Sequence, residues 1–302
     1  MTLDRRTALR CLGLTVGAAL VAGASACSTA STSPRPSRPS SPAQGRPTPS
    51  GRSTPSPTPG HTPPGTTAPT VPSTEGLPVA VHDAVIGALL PGPDAVPSHA
   101  GLLEHDLVLY ADRGGAPVAV LPGRNFLRAP TVVAAVTTTG EWTLVLTPAR
   151  KTLPSVAGPS RAPAQTAAWA RTSDLPTMQP TSASVTVRVA EQSMTITTTQ
   201  GQRRHEVGVG QDSTPTPTGV SGYLQARYVD PAQALAPGAI QLTSLHATAA
   251  DEPYTGTDGG LIAIHANPNP RGRASHGCIR VRAEAVAELD ALPLGTPIVV
   301  LP

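Results

Sequence analysis

This 302-residue sequence is poor in cysteine, with three, and in aromatic residues, which make up 2% of it. So few cysteines exclude the disulfide framework that holds many small exported domains together. Cys11 and Cys27 lie in or beside an N-terminal export segment, so Cys278 is the one thiol of the folded part and has no disulfide partner. Scarce aromatics beside 36 Pro and 28 Gly fit compact, turn-rich β modules better than large helical bundles. A membrane-spanning run of ~20 apolar residues is also missing. The stretch from Leu12 to Ala26 is too short and too rich in small residues. Nor is there a basic folded domain. The net charge is +3, but residues 1–76 hold seven Arg and two acids, and subtracting these from the totals of 22 and 19 leaves 15 basic against 17 acidic residues in 77–302. That balance gives no support to nucleic-acid binding.

What is present at the N-terminus is an address. Asp4-Arg-Arg-Thr-Ala-Leu-Arg10 is a charged region with a twin-arginine flavour, followed by the apolar stretch. Ala24-Ser-Ala-Cys27 then allows two processing routes. One is cleavage after an Ala-x-Ala site; the other is a lipobox in which Cys27 becomes the lipidated first residue. The Ser/Thr/Pro tract that follows at once favours lipidation, whereas Ala24 stands where a lipobox usually has Leu or Val. Either route exports the protein. Residues 28–76 are almost entirely Ser, Thr, Pro, Gly and Arg, a composition too polar to offset chain entropy, and are expected to form an extended, semi-rigid tether.

Two modules follow, over 77–180 and 184–302. In the first, Val81, Val85, Ala88 and Leu89 suggest a short helix ended by Pro91-Gly-Pro93. Short β runs come next: Leu107–Tyr110, Pro117–Leu121, Thr131–Val136, Glu141–Leu146 and Ala167–Ala170, separated by Gly- and Pro-containing turns. Five or so strands in so short a stretch argue a small barrel. Trp142 and Trp169 are expected as core or contact residues. In the second module, Val185, Val187 and Val189 alternate with Thr186 and Arg188 as in a half-buried strand. Met194, Ile196 and Thr198 continue the pattern, Gln200-Gly201 reads as a hairpin turn, and His205–Gly210 returns. Leu261–His265 reads as a buried strand, Arg282–Leu292 as a helix with Val286 and Leu289 inward, and Ile298–Leu301 as a last strand.

Chemistry concentrates in Ser275-His-Gly-Cys278, ten residues after the apolar-flanked His265. A lone thiol in an oxidising compartment is a liability unless it works, and here two histidines lie close to it in the chain. Acyl transfer needs a thiolate, a proton carrier and donors for an oxyanion. Cys278 is the nucleophile, with a thiol that a nearby imidazole would lower. His265 and His276 are both candidate bases, since a residue two positions from Cys278 on extended chain points to the same side. The N–H groups of Gly277 and Cys278 are natural oxyanion donors, and Gly277 lets the backbone come close to a reacting carbonyl. Ser275, Tyr254 and Arg280 are candidate substrate contacts, Arg280 equally a brace for the loop. A zinc site would use His265, His276 and Cys278, but no fourth ligand falls at a recognisable spacing, so neither metal nor cofactor is expected. The other histidines, His61, His82, His99, His105, His205 and His246, are expected on the surface or in loops.

The segments IAIHAN and RASHGCIRV resemble the signature of YkuD-type L,D-transpeptidases, bacterial cell-wall enzymes, over roughly Ser184 to the C-terminus. Thr214-Pro-Thr-Pro-Thr-Gly219 resembles the Thr-Pro-x-Gly segment that edges the cleft in that family. The segment between His265 and Ser275 is shorter than usual there, and Arg280 stands where many members carry Asn. More loosely, the first module resembles the bacterial SH3-like domains found beside such enzymes. The resemblance implies a mainly all-β protein, an SH3-like barrel followed by a catalytic β-sandwich. It assigns proton transfer to His265, oriented by a backbone carbonyl near Ala266, with His276 in support. It further implies that Cys278 attacks the third residue of a peptidoglycan tetrapeptide stem, releases D-alanine, and passes the acyl group to a neighbouring stem. Alternatives are an L,D-carboxypeptidase or a non-catalytic wall-binding lipoprotein. The expected setting is the outer face of the cytoplasmic membrane and the cell wall, with the protein a lipid-anchored monomer.

Overall fold

In the computed structural model, residues 73–158, 161–230, 238–250 and 260–302 are described. The leader, Cys27, most of the tether and Tyr254 lie outside them. Strand far outweighs helix among the described residues, as the composition suggested.

The first module contains β1 (Leu90–Pro91), β2 (His99–Leu102), β3 (Leu107–Tyr110) and β4 (Pro117–Leu121). After these come β5 (Val132–Thr139), β6 (Trp142–Thr147), a one-turn helix α1 (Pro154–Ala157), β7 (Thr166–Arg171) and β8 (Gln179–Pro180). The strands form one antiparallel sheet in the order β4-β3-β7-β6-β5-β2-β8, with β1 added to β7. Among the described residues nothing pairs β4 with β8, so the ladder does not close. Alternation along these runs puts Leu107, Leu109, Leu121, Val133 and Val145 in one buried cluster.

The helix expected at the start of this module does not form. Val79 and Val85 instead make bridges to Val120 and Arg150, and Ala80 and Ile86 donate their N–H groups to Val120 and Arg150 carbonyls. A single short helix is marginal alone, and two neighbouring extended segments offer the backbone ready partners. Trp142 and Trp169 are half-buried rather than core. Arg171 stacks 5.0 Å from the Trp142 ring and Arg113 5.1 Å from that of Trp169.

The second module begins with β9 (Ser184–Arg188), β10 (Ser193–Thr198), β11 (Gly201–Glu206) and β12 (Val209–Gly210). β13 (Val220–Tyr228), β14 (Ile240–His246), β15 (Leu261–Ala266), β16 (Arg273–Ser275) and β17 (Ile279–Val281) follow. The chain ends with α2 (Ala283–Asp290) and β18 (Pro297–Leu301). Eight strands form a mixed sheet, β11-β10-β9-β18-β13-β14-β15-β17, while β12 and β16 pair separately. Most neighbours are antiparallel, but β9 with β18 and β15 with β17 run parallel. α2 buries Ala285, Val286 and Leu289 against the sheet, the inward face expected of it. No local pattern announces β13 or β14. β14 is buried along its whole length despite Gln241, Thr243, Ser244 and His246, so it shows no alternation to read.

The two modules share an interior within one compact unit. Tyr223 of β13 packs with Val132, Ala134, Leu146 and Ala167 of the first sheet. Gly295 lies so close to Ala100 that a side chain there would run into its methyl group, at a φ of +91° that disfavours any other residue. Buried polar groups complete the seam. Ser244 donates to Gln165 Oε1 at 2.5 Å, and Gln165 Nε2 donates to the carbonyls of Thr147 and Thr166. His246, expected at the surface, is 1% exposed. Its backbone N–H donates to Ala164 and its ring Nε2 lies 2.7 Å from the Pro148 carbonyl. A carbonyl only accepts, so Nε2 carries the proton and Nδ1 is left without a partner among the described residues.

Candidate active site

Parallel pairing of β15 with β17 sets His265 opposite Arg280 and Ile264 opposite Ile279. Because side chains alternate, Ala263 and His265 share one face with Arg280 and with Cys278, which leads into β17. The other face carries Ile262, Ile264 and Ile279 into the core. Cys278 Sγ lies 3.5 Å from the Ala263 N–H and 4.0 Å from the Leu261 carbonyl. His265 Nδ1 lies 3.1 Å from the carbonyl of Ala266. That carbonyl fixes the tautomer: Nδ1 carries the hydrogen, and Nε2 carries the lone pair able to take a proton. His276 sits in the bend between β16 and β17, on the exposed side of the loop. Of the two candidate bases, then, only His265 is built into the sheet face that holds Cys278.

The loop Ser275–Cys278 is held by hydroxyls. Ser275 Oγ donates to the Cys278 carbonyl at 2.5 Å, and Thr214 Oγ1 donates to the Ser275 carbonyl at 3.2 Å. Thr216, 2% exposed, donates to the Gly277 carbonyl at 2.8 Å and accepts the Gly210 N–H at 2.8 Å. A trans peptide points its N–H opposite to its carbonyl. Fixing the Gly277 carbonyl against Thr216 therefore aims the Cys278 N–H the other way. Gly277 has φ +100°, and a Cβ there would sit 2.9 Å from Ile262 Cδ1, so the turn requires glycine. Thr216 lies in the Thr214–Gly219 segment, but nothing in the sequence singles it out from Thr214 or Thr218. Ser275 is 2% exposed and braces the loop rather than facing a ligand.

Burial dominates the electrostatics. It pushes the Cys278 thiol up, against smaller downward pulls from the Ala263 N–H and the Arg280 charge. It pushes His265 down, partly opposed by the Ala266 carbonyl and reinforced by Arg280. The expectation that an imidazole lowers the thiol is thus reversed, because desolvation outweighs every favourable contact. At neutral pH the pair rests as thiol and neutral imidazole. Arg280 is the cation whose charge acts on both groups. Its backbone N–H and C=O both bond to Gly208 at 2.9 Å, and its Nε is buried with no partner among the described residues. No group of three or more His, Cys, Asp or Glu able to hold a metal ion occurs among the described residues.

Residues 182–300 match the YkuD family model, the L,D-transpeptidase catalytic domain. No curated protein matches the chain. Among solved structures, an L,D-transpeptidase from Enterococcus faecium is similar at 20% identity, covering 40% of this chain and 50% of that one, with a TM-score of 0.30. One from Mycobacterium smegmatis is similar at 15% identity, over 57% of this chain and 91% of its own, with a TM-score of 0.31. L,D-transpeptidase 3 from Mycobacterium tuberculosis, bound to a faropenem-derived adduct, is similar at 12% identity over 72% and 98%, with a TM-score of 0.31. The chain thus spans half the length of the Enterococcus protein.

Proposed function

We propose that the chain is a cysteine-dependent L,D-transpeptidase acting on peptidoglycan stem peptides. The supporting observation is the shared sheet face of Cys278 and His265, with the His265 tautomer set by Ala266, inside the segment that matches the catalytic-domain family. From the neutral resting pair, Cys278 Sγ bonds to the carbonyl carbon of the third stem residue while its proton passes to His265 Nε2. The carbonyl oxygen, now an oxyanion, is received by the N–H groups of Cys278 and Gly277. Collapse breaks the bond to the terminal D-alanine nitrogen, which takes the proton back from His265, leaving a thioester on Cys278. A side-chain amine of a neighbouring stem then attacks the thioester, loses a proton to His265 and restores the thiol, giving a three-to-three cross-link. Arg280 lowers the cost of any negative charge that develops on sulfur or oxygen.

The deciding experiment incubates the soluble protein with disaccharide-tetrapeptide and follows products by mass spectrometry. Loss of D-alanine with formation of a cross-linked dimer is expected. A trimmed tripeptide alone would make the enzyme a carboxypeptidase. No release, with Cys278 intact and alkylatable, would leave a wall-binding role. We further propose export and anchoring through Cys27, resting on the Ala-Ser-Ala-Cys junction. Cys27→Ala is then expected to shift the protein from the membrane fraction to the medium or wall, and equal retention would refute the anchor.

A further inference from the structure

The seam between the modules ends on the strand that supports the nucleophile. Arg150 of the first module is 4% exposed. Its backbone is fixed on both sides, donating to the Ala84 carbonyl and accepting from the Ile86 N–H, each at 2.8 Å. From that base its guanidinium donates to the Ala247 carbonyl at 3.2 Å and reaches the Gly260 carbonyl at 3.5 Å. Ala247 and Gly260 are themselves joined, the Ala247 N–H donating to Gly260 at 3.1 Å, just beyond the last paired residues of β14 and β15, His246 and Leu261. Arg150 therefore caps the point where β15 begins. The next residues are Leu261 and Ala263, whose backbone carbonyl and N–H lie against Cys278 Sγ, and then His265.

We propose that Arg150 is a positioning residue: from the first module it pins the start of β15 through the Ala247 and Gly260 carbonyls, and so sets the backbone groups that hold the Cys278 sulfur. The planar guanidinium suits this task because it spans two carbonyls with fixed donors, which a single ammonium cannot do equally well. Without it the last rung of the β14–β15 ladder is free to fray, and fraying starts where the sulfur is held. The first module then does more than dock the enzyme, since it completes the frame of the site. The inference rests on the proposed acyl transfer only for its activity readout.

The test uses the full chain with Arg150→Ala, Arg150→Lys and, as a control, Gly295→Ala, which strains the same seam at the Ala100 contact. Three quantities are read: the iodoacetamide alkylation rate at Cys278 by peptide mapping, the acylation rate at Cys278 by a carbapenem, and the unfolding midpoint. Arg150→Ala is expected to raise alkylation several-fold and lower acylation about tenfold at temperatures where it is fully folded, with Arg150→Lys recovering part of both. Gly295→Ala is expected to lower the midpoint while leaving both rates within about twofold of wild type. The proposal is overturned if Arg150→Ala matches wild type in both rates, or if Gly295→Ala at equal stability loss changes them as much. A wild type that is alkylated but never acylated sinks the proposed activity alone, because the alkylation comparison still decides the role of Arg150.

Discussion

Two histidines on adjacent strands of the same sheet meet opposite fates. His246 closes β14 inside the seam between modules, and His265 lies near the end of β15 on the sheet face that carries Cys278. Burial depresses both, His246 to about 3 and His265 less. The difference is which nitrogen the backbone occupies. The Pro148 carbonyl takes Nε2 of His246 and locks it as a strut. The Ala266 carbonyl takes Nδ1 of His265 and leaves the far nitrogen basic. Depressed basicity in a buried histidine is thus no mark of catalysis by itself; the direction of the remaining lone pair decides.

The contrast is sharpest in kinetics. His265→Ala should lower acylation of Cys278 by ~10²–10⁴-fold, the usual worth of general-base help, with little loss of stability. His246→Gln should do the reverse, lowering the unfolding midpoint while fully folded protein reacts within about tenfold of wild type. A carbapenem acylation assay beside thermal unfolding checks both, and the comparison breaks if His276→Ala, not His265→Ala, shows the larger kinetic loss.

Acid sharpens it next. His246 stays neutral in the folded protein down to about pH 3, whereas the unfolded chain takes a proton near pH 6.5. Between those values the unfolded state binds more protons, so stability is full above pH 6.5 and falls as the pH drops. At pH 4 the loss from this group is about 3 kcal/mol, at 1.36 kcal/mol per pH unit. Burial lowers His82 as well and adds in the same direction. Chemical denaturation at pH 7 and pH 4 should show this slope in wild type, and a flatter one in His246→Gln.

A smaller effect is expected at Thr216. Thr216→Val removes the hydroxyl that bridges Gly210 and Gly277. It should cost roughly 1–3 kcal/mol from the unpaired backbone groups and slow acylation about tenfold, with Thr216→Ser near wild type. Smallest is the tie between β11 and α2, where Glu288 pairs with Arg203 and His205 at 2.9 Å each. These groups are partly exposed, so Glu288→Gln should change stability by less than about 1 kcal/mol, and acylation not at all.

Much of this molecule was legible in its residues, for identifiable reasons. Val185–Val189 and Leu107–Tyr110 announce strands because one or both faces are apolar. Ser275–Cys278 announces a tight turn beside a lone thiol because Gly277 permits a backbone that other residues resist. β14 was hidden because its polar residues are satisfied inside the fold, Gln241 and Thr243 by Asp290 and Ile262, and Ser244 and His246 across the seam by Gln165 and Pro148. For the same reason His246 reads as a surface or loop residue. The first segment misled in the other direction: Val81, Val85 and Leu89 have helical spacing, yet the residues between and beside them, Ala80, Ala84 and Ile86, pair their backbone with Val120 and Arg150. Contacts made at long sequence distance leave no local pattern, and here they are the ones that join the modules.

The burial that keeps the Cys278 thiol protonated has a consequence for how long the protein survives. Peroxides attack the thiolate, and the sulfenic acid they form is the first rung of a ladder that ends in irreversible sulfonic acid. Cys278 is the one cysteine among the described residues, so no neighbouring thiol there resolves the sulfenic acid as a disulfide. By resting as a neutral thiol against the Ala263 N–H, Cys278 offers oxidants little to react with.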